Sequence, residues 1–295
     1  MMSEQHLKGI FVPTVTPFSA DEEVDLVSYR RYVDRLLACD IQGLVVGGTT
    51  GESPTLSWDE VASLLRLTQE AVREKGSRLP VVVGTGTSST STSVKRTEEA
   101  RRLGADAVLV VVPYYNRPSQ EGILAHFRLV SQVGVPVIVY EIPSRTGTRL
   151  SIDTARRVME LDGVIGMKDS TDDASLLELL VRTTSKPVLC GEDRCFYDRL
   201  SRGARGGILA SANVKTDAFA DVYHRLERGD AEGAAQTFAT VLPWIERLFE
   251  EPNPAPLKWL LARQGMIASD KLRLPMSPIS QSLGEELEVL LQTSS

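Results

Sequence analysis

The chain has 295 residues, 42% of them hydrophobic and 24% charged, with a formal net charge of −6. That length suits one large α/β domain with an appendage, or two domains, and the composition is that of an ordinary globular protein. An acidic balance without a basic run argues against nucleic acid and anionic membrane surfaces as partners, so an anionic substrate would need locally placed cations.

The opening "MMSEQHLKGIFVPTVTP" has no basic segment leading into a long apolar stretch. Pro13 and Pro17 interrupt its only apolar patch, and no signal peptide is expected. No run reaches the length of a transmembrane helix. Cys39, Cys190 and Cys195 are too few and too scattered for a disulfide framework. Cys190 and Cys195 have no histidine nearby, so a metal site is not expected. A reduced, cytoplasmic enzyme is the expected setting.

Short apolar runs recur along the chain: "IFVPTVTPF", "GLVVGGTTG", "PVVVGTGT", "AVLVVVPYY", "PVIVYEIPS", "GVIGMKDS", "PVLCGED" and "GGILAS". Val, Ile and Gly dominate them, as in parallel strands buried on both faces. The text between them reads as amphipathic helix. "DLVSYRRYVDRLLACD" puts Leu26, Tyr29, Val33, Leu36 and Leu37 on one face. "SWDEVASLLRLTQEAVREKG" opens on Ser57 with Glu60 three residues on, a capping box, and closes at Gly76. "SVKRTEEARRLGAD" and "SIDTARRVMELDG" end on glycine in the same way. The polar "GTGTSSTSTS" follows a strand and precedes a helix, which suits a βα loop ending in an N-cap.

Eight such units match the spacing of a (β/α)₈ TIM barrel. The rival is a doubly wound open sheet, but no G-x-G-x-x-G opens the first unit. From Asp217 the text is helical, broken by "EPNPAP" and "LRLPMSP". The expected organisation is a barrel over residues 1–216 and a C-terminal helical layer over 217–295.

Active sites of such barrels collect at the carboxyl ends of the strands. The second run ends in "GGTTGES", where Thr49 and Thr50 offer hydroxyl and N–H groups. The fourth ends in Tyr114 and Tyr115, the fifth in "YEIPSRTG" with Tyr140 and Arg145, and the sixth in Lys168. Arginine can fork a carboxylate. An unpaired ammonium in a buried place favours its neutral amine, which is a nucleophile toward carbonyls. A lysine among these groups points to imine chemistry: condensation with a 2-oxo acid, loss of a C3 proton to an enamine, and attack on an aldehyde, or the reverse cleavage. No metal or organic cofactor is required.

"GGTTGES", "PYYNRPSQEG", "YEIPSRTG" and "GMKDS" together resemble the dihydrodipicolinate synthase / N-acetylneuraminate lyase family. "EPNPAPLKWLLARQG" and "LRLPMSPIS" extend the likeness toward the C-terminus. The resemblance implies a TIM barrel that condenses pyruvate with L-aspartate 4-semialdehyde on the route to diaminopimelate and lysine. Lys168 is then the Schiff-base residue, Tyr140 the proton shuttle, and Thr49 the link from Tyr140 to a second tyrosine, Tyr115, which reaches in from a neighbouring subunit. Thr50 would hold the pyruvate carboxylate, Arg145 the carboxylate of the semialdehyde, and Gly191 and Ile208 would line the pocket. The implied assembly is a homotetramer, a dimer of dimers.

Arg145 in "PSRTG" separates the synthases from the sialic-acid lyases. A sugar-acid lyase of the same family is the alternative enzyme, and a catalytically silent barrel that binds a 2-oxo acid is the alternative of another class. Two departures stand out. Glu141 occupies a position where asparagine is usual, and "KDSTDD" replaces a string like "KEATGN". Alternation along a strand would turn Glu141 away from the site; otherwise it places a carboxylate beside the tyrosine. The resemblance also bears on feedback inhibition by lysine. Trp58 and Val61 stand where the lysine-sensitive pattern has histidines, Ser88 where it has asparagine, and Thr92 where it has glutamate. With Tyr114 retained but no carboxylate for the inhibitor's ammonium, the chain is expected to be insensitive to lysine.

Overall fold

A computed structural model describes residues 2–293. Eight parallel strands close into a barrel in sequence order: β1 (Gly9–Pro13), β2 (Gly43–Val46), β3 (Val81–Gly84), β4 (Ala107–Val111), β5 (Val137–Glu141), β6 (Val164–Asp169), β7 (Val188–Cys190) and β8 (Gly206–Ile208). β8 pairs back onto β1, with Phe11 opposite Ile208. The open-sheet alternative is thereby excluded. Each apolar run became one strand, and β6 is buried along its whole length, lysine and aspartate included.

The helices are α1 (Leu26–Leu36), α2 (Trp58–Glu74), α3 (Thr90–Arg102), α4 (Gln120–Ser131), α5 (Pro143–Thr146), α6 (Ile152–Met159), α7 (Ser175–Thr183), α8 (Phe196–Ser201), α9 (Thr216–Glu227), α10 (Ala231–Leu248), α11 (Ala255–Arg263) and α12 (Gln281–Thr293). Their starts follow the expected chemistry. Ser57 and Glu60 form the capping box of α2, and Ser89 caps α3 at the end of the polar loop. No helix among the described residues is long and apolar enough to cross a membrane.

Two compact units compose the chain. The first takes the residues through Phe11, then Gln42–Val45 and Leu79–Leu209; the second takes Val12–Ile41, Val46–Arg78 and the chain from Ala210 on. The first unit holds the barrel's apolar interior, which includes Phe11, Val45, Leu109, Ile138, Tyr140, Ile142, Leu189 and Ile208. On β5 these are alternate residues, so Glu141 faces the opposite way from Tyr140.

The second unit corrects one expectation. The buried side of α1 is Ser28, Tyr29, Tyr32, Val33 and Leu36, whereas Leu26 is 41% exposed. Polar partners make this rotation possible. The Tyr29 hydroxyl meets Thr14 at 3.2 Å and Thr68 at 2.8 Å, and the Tyr32 hydroxyl donates to Asn213. Ser28 accepts from the Ala268 N–H at 2.8 Å. Buried hydroxyls with partners cost little, so Tyr32 joins the expected Tyr29, Val33 and Leu36 on the buried face while Leu26 stays out.

Candidate active site

The pairing of β5 with β6 brings Tyr140 and Lys168 side by side. β5 and β6 are in register with Tyr140 opposite Lys168 and Glu141 opposite Asp169. The Lys168 Nζ lies 4.1 Å from the centre of the Tyr140 ring. Lys168 is 7% exposed and Tyr140 5%. Among the described residues no carboxylate lies within salt-bridge reach of Lys168. Its packing partner is an aromatic face, which attracts a cation only weakly compared with a carboxylate.

Gly191 makes room for this lysine. A Cβ at Gly191 would stand 2.5 Å from the Lys168 Cε and would also strike the Ser170 hydroxyl. Its N–H donates to the Asp169 carbonyl at 2.8 Å, which holds the turn after β7 against β6. Ile208, 1% exposed on β8, belongs to the same barrel interior as Tyr140. Lys168, Tyr140, Gly191 and Ile208 are thus brought together in the first unit.

Arg145 follows the same strand as Tyr140, on the single turn α5, and it is exposed. That turn is tied down by Thr146, whose hydroxyl donates to the Ile142 and Thr148 carbonyls, and it ends on Gly147 at φ 69°. Tyr115 is not packed against the lysine: it is 90% exposed, at φ 70°, in the loop after β4. A tyrosine in the left-handed region and open to solvent is an unfavourable placement within one chain.

Thr49 and Thr50 belong to the second unit, on a 3₁₀ turn that follows β2. Thr50 is 4% exposed, and its hydroxyl accepts from the Asn253 amide at 3.3 Å. The turn ends at Glu52, in the left-handed region at φ 57°. The Glu52 carboxylate accepts from the Lys258 ammonium at 2.8 Å and from the Arg273 N–H at 3.2 Å. Lys258 also donates to the carbonyls of Thr16 and Lys271. Sequence reasoning missed this pair, although its signal resembles that of Lys168: a lone lysine inside the apolar text "APLKWLL".

The two departures also find their places. Glu141 is fully buried, faces away from Tyr140, and accepts from the Leu150 N–H at 2.8 Å. Burial pushes its carboxyl up to about 7, assisted by Asp169. In "KDSTDD", Asp172 and Asp173 pair with the guanidinium of Arg149, the Asp173 contact being 2.9 Å. The acidic string therefore fastens the loop after β6 to the segment that follows α5.

A closed barrel of parallel strands with helices between them defines the class as a (β/α)₈ barrel. The family model of the Dihydrodipicolinate synthetase family matches residues 6–294, and the chain belongs to that family. The 4-hydroxy-tetrahydrodipicolinate synthase 2 of Clostridium acetobutylicum is 39% identical over 288 residues, covering 97% of this chain and 99% of that protein. A monomeric dihydrodipicolinate synthase variant superposes with a TM-score of 0.94 at 36% identity, covering 99% of this chain and 98% of that one. The chloride-inhibited dihydrodipicolinate synthase of Acinetobacter baumannii, crystallised with pyruvate, superposes with a TM-score of 0.92 at 33% identity, covering 97% and 98% of the two chains.

Proposed function

We propose that this chain is a Schiff-base lyase that condenses pyruvate with L-aspartate 4-semialdehyde to 4-hydroxy-tetrahydrodipicolinate, in the cytoplasmic synthesis of diaminopimelate and lysine. The observation that carries the reading is the Lys168 amine, buried against Tyr140 with no counter-ion among the described residues. Membership of the family and its relatives' printed activity support it.

In the proposed reaction the neutral Lys168 amine attacks the ketone carbon of pyruvate and water leaves, giving an iminium. Loss of a C3 proton, with Tyr140 carrying protons at the imine, yields the enamine. Its C3 attacks the aldehyde carbon, and the aldehyde oxygen takes up a proton. The amino group of the second substrate then displaces Lys168 from the imine carbon, closing the ring and restoring the free amine. Arg145 binds the semialdehyde carboxylate, Thr50 the pyruvate carboxylate, and Thr49 passes protons between Tyr140 and Tyr115. Gly191 and Ile208 line the pocket. We assign the exposed Tyr115 to the active site of a neighbouring subunit, in a homotetramer built as a dimer of dimers.

Borohydride reduction in the presence of pyruvate, followed by peptide mass measurement, tests the reading. The expected product is a stable pyruvate adduct on Lys168; an unmodified Lys168 would overturn it. Sedimentation analysis, together with a slower but folded Tyr115→Phe variant, tests the assembly; a monomer with full activity overturns it.

A further inference from the structure

The residues directly after the reactive pair are Glu141 and Asp169, and they too are partners across β5 and β6. They lie on the outer side of these strands, 0% and 4% exposed. Each has one oxygen bound to a backbone N–H: the Leu150 N–H to Glu141 at 2.8 Å, and the Thr171 N–H to Asp169 at 2.9 Å. The other oxygen of each, Glu141 Oε2 and Asp169 Oδ2, is buried with no hydrogen-bond partner. Two carboxyls on adjacent paired strands, each with an idle oxygen, are disposed to hold a proton rather than two charges.

The surrounding charges support one proton. From α8, Arg199 is 3% exposed, donates to the Thr171 carbonyl at 3.2 Å, and leaves its Nη1 without a partner. From the segment before α6, Arg149, which pairs with Asp172 and Asp173, opposes the rise at Glu141, where burial outweighs it. From the turn after β6, Asp173 adds negative charge toward Asp169. One buried cation against two buried carboxyls balances only when one carboxyl is neutral. Burial raises the carboxyls of both residues, and Arg199 works against this only at Asp169.

We propose that Glu141 and Asp169 are positioning residues for Tyr140 and Lys168, acting as a carboxyl pair that keeps one proton, held on Glu141, behind the reactive lysine. The role rests on the Schiff-base reading of Lys168. While Glu141 is neutral, β5 and β6 stay in the register that sets Lys168 against Tyr140. When it ionises, two like charges repel across neighbouring strands one residue beyond the reacting groups.

Two measurements test this across roughly pH 5 to pH 9, the range in which a raised carboxyl titrates. In the wild type, infrared difference spectra should show a protonated-carboxyl band that fades on the alkaline side. The rate of pyruvate trapping on Lys168 should fall over the same range, on the order of tenfold, within the ~100-fold that a 1 Å misplacement can cost. Glu141→Gln, which keeps the shape and the acceptor for Leu150, should lose both the band and the alkaline limb. Asp169→Asn should keep the band but move its titration to lower pH. Absence of the band in the wild type, or its persistence in E141Q, overturns the shared proton. An alkaline limb unchanged in E141Q overturns the positioning role. Failure to trap pyruvate in any variant, with the band present, overturns the Schiff-base reading and the positioning role with it, while leaving the proton in place.

Discussion

Each compact unit buries one lysine, and the two lysines are treated in opposite ways. In the second unit Lys258 is fully buried, with a carboxylate, two backbone carbonyls and the face of Phe18 around its ammonium. In the first, Lys168 is nearly as buried and packs on the face of Tyr140 with no carboxylate within salt-bridge reach among the described residues, and the carboxyls that directly follow Tyr140 and Lys168, Glu141 and Asp169, sit on the far side of the strands. Burial lowers the affinity of Lys258 for its proton, and the Glu52 carboxylate 2.8 Å away opposes that effect. A lysine whose ammonium is satisfied holds structure together. A lysine left without a counter-ion is available for chemistry.

Replacing each lysine by methionine separates the two roles. Lys168→Met should abolish pyruvate trapping and turnover while leaving the urea midpoint equal to or above that of the wild type, because an uncompensated polar group is removed. Lys168→Arg should fare no better in turnover, since arginine stays protonated. Lys258→Met should do the reverse to the fold. It strands the Glu52 carboxylate and should lower unfolding stability by about 3–5 kcal/mol. Adding Glu52→Gln should recover part of that loss; single-variant losses that simply add in the double variant would mean that the pair is not coupled.

A smaller effect is expected where a charge is exposed. Arg145→Ala should weaken use of the semialdehyde by about 1.5–3 kcal/mol in kcat/KM, the worth of a charge-assisted contact, while pyruvate trapping is largely kept. Equal damage to both steps would make Arg145 a pyruvate ligand instead. The smallest effect concerns free lysine, itself an ammonium in search of a carboxylate. Where the lysine-sensitive pattern has a glutamate it would find the Thr92 hydroxyl, already bonded to Ser89 at 3.2 Å. Initial rates should be nearly unchanged by lysine up to about 1 mM, where binding is worth roughly 4 kcal/mol. Half-inhibition below that level would show that other groups recognise it.

Much of this comparison is written locally in the chain. Apolar runs rich in valine and isoleucine, spaced by capped amphipathic helices, specify eight parallel strands because burial on both faces and helix capping are short-range properties. Tyr140 and Lys168 lie near the ends of β5 and β6, and Arg145 on the turn after β5. The face of α1 was read less well. Periodicity put Leu26 beside Tyr29, but Leu26 is exposed and Tyr32, whose hydroxyl donates to Asn213, is buried with Tyr29. Alternation along β5 allowed two readings of Glu141, and the Leu150 N–H and the pairing with Asp169 decided between them.

The sequence by itself showed a lysine at the end of the apolar text before "KDS", and it held the same signal, unread, at Lys258 in "APLKWLL". Only the tertiary structure decided which would be neutralised. Glu52 reaches Lys258 across 206 positions of chain, whereas the carboxylate adjacent to Lys168 in sequence is turned away by the pleat of its own strand. Burial follows from local hydrophobic pattern, but a counter-ion is supplied by whatever the fold brings within a few ångströms, and Coulomb attraction at that range does not depend on separation along the chain.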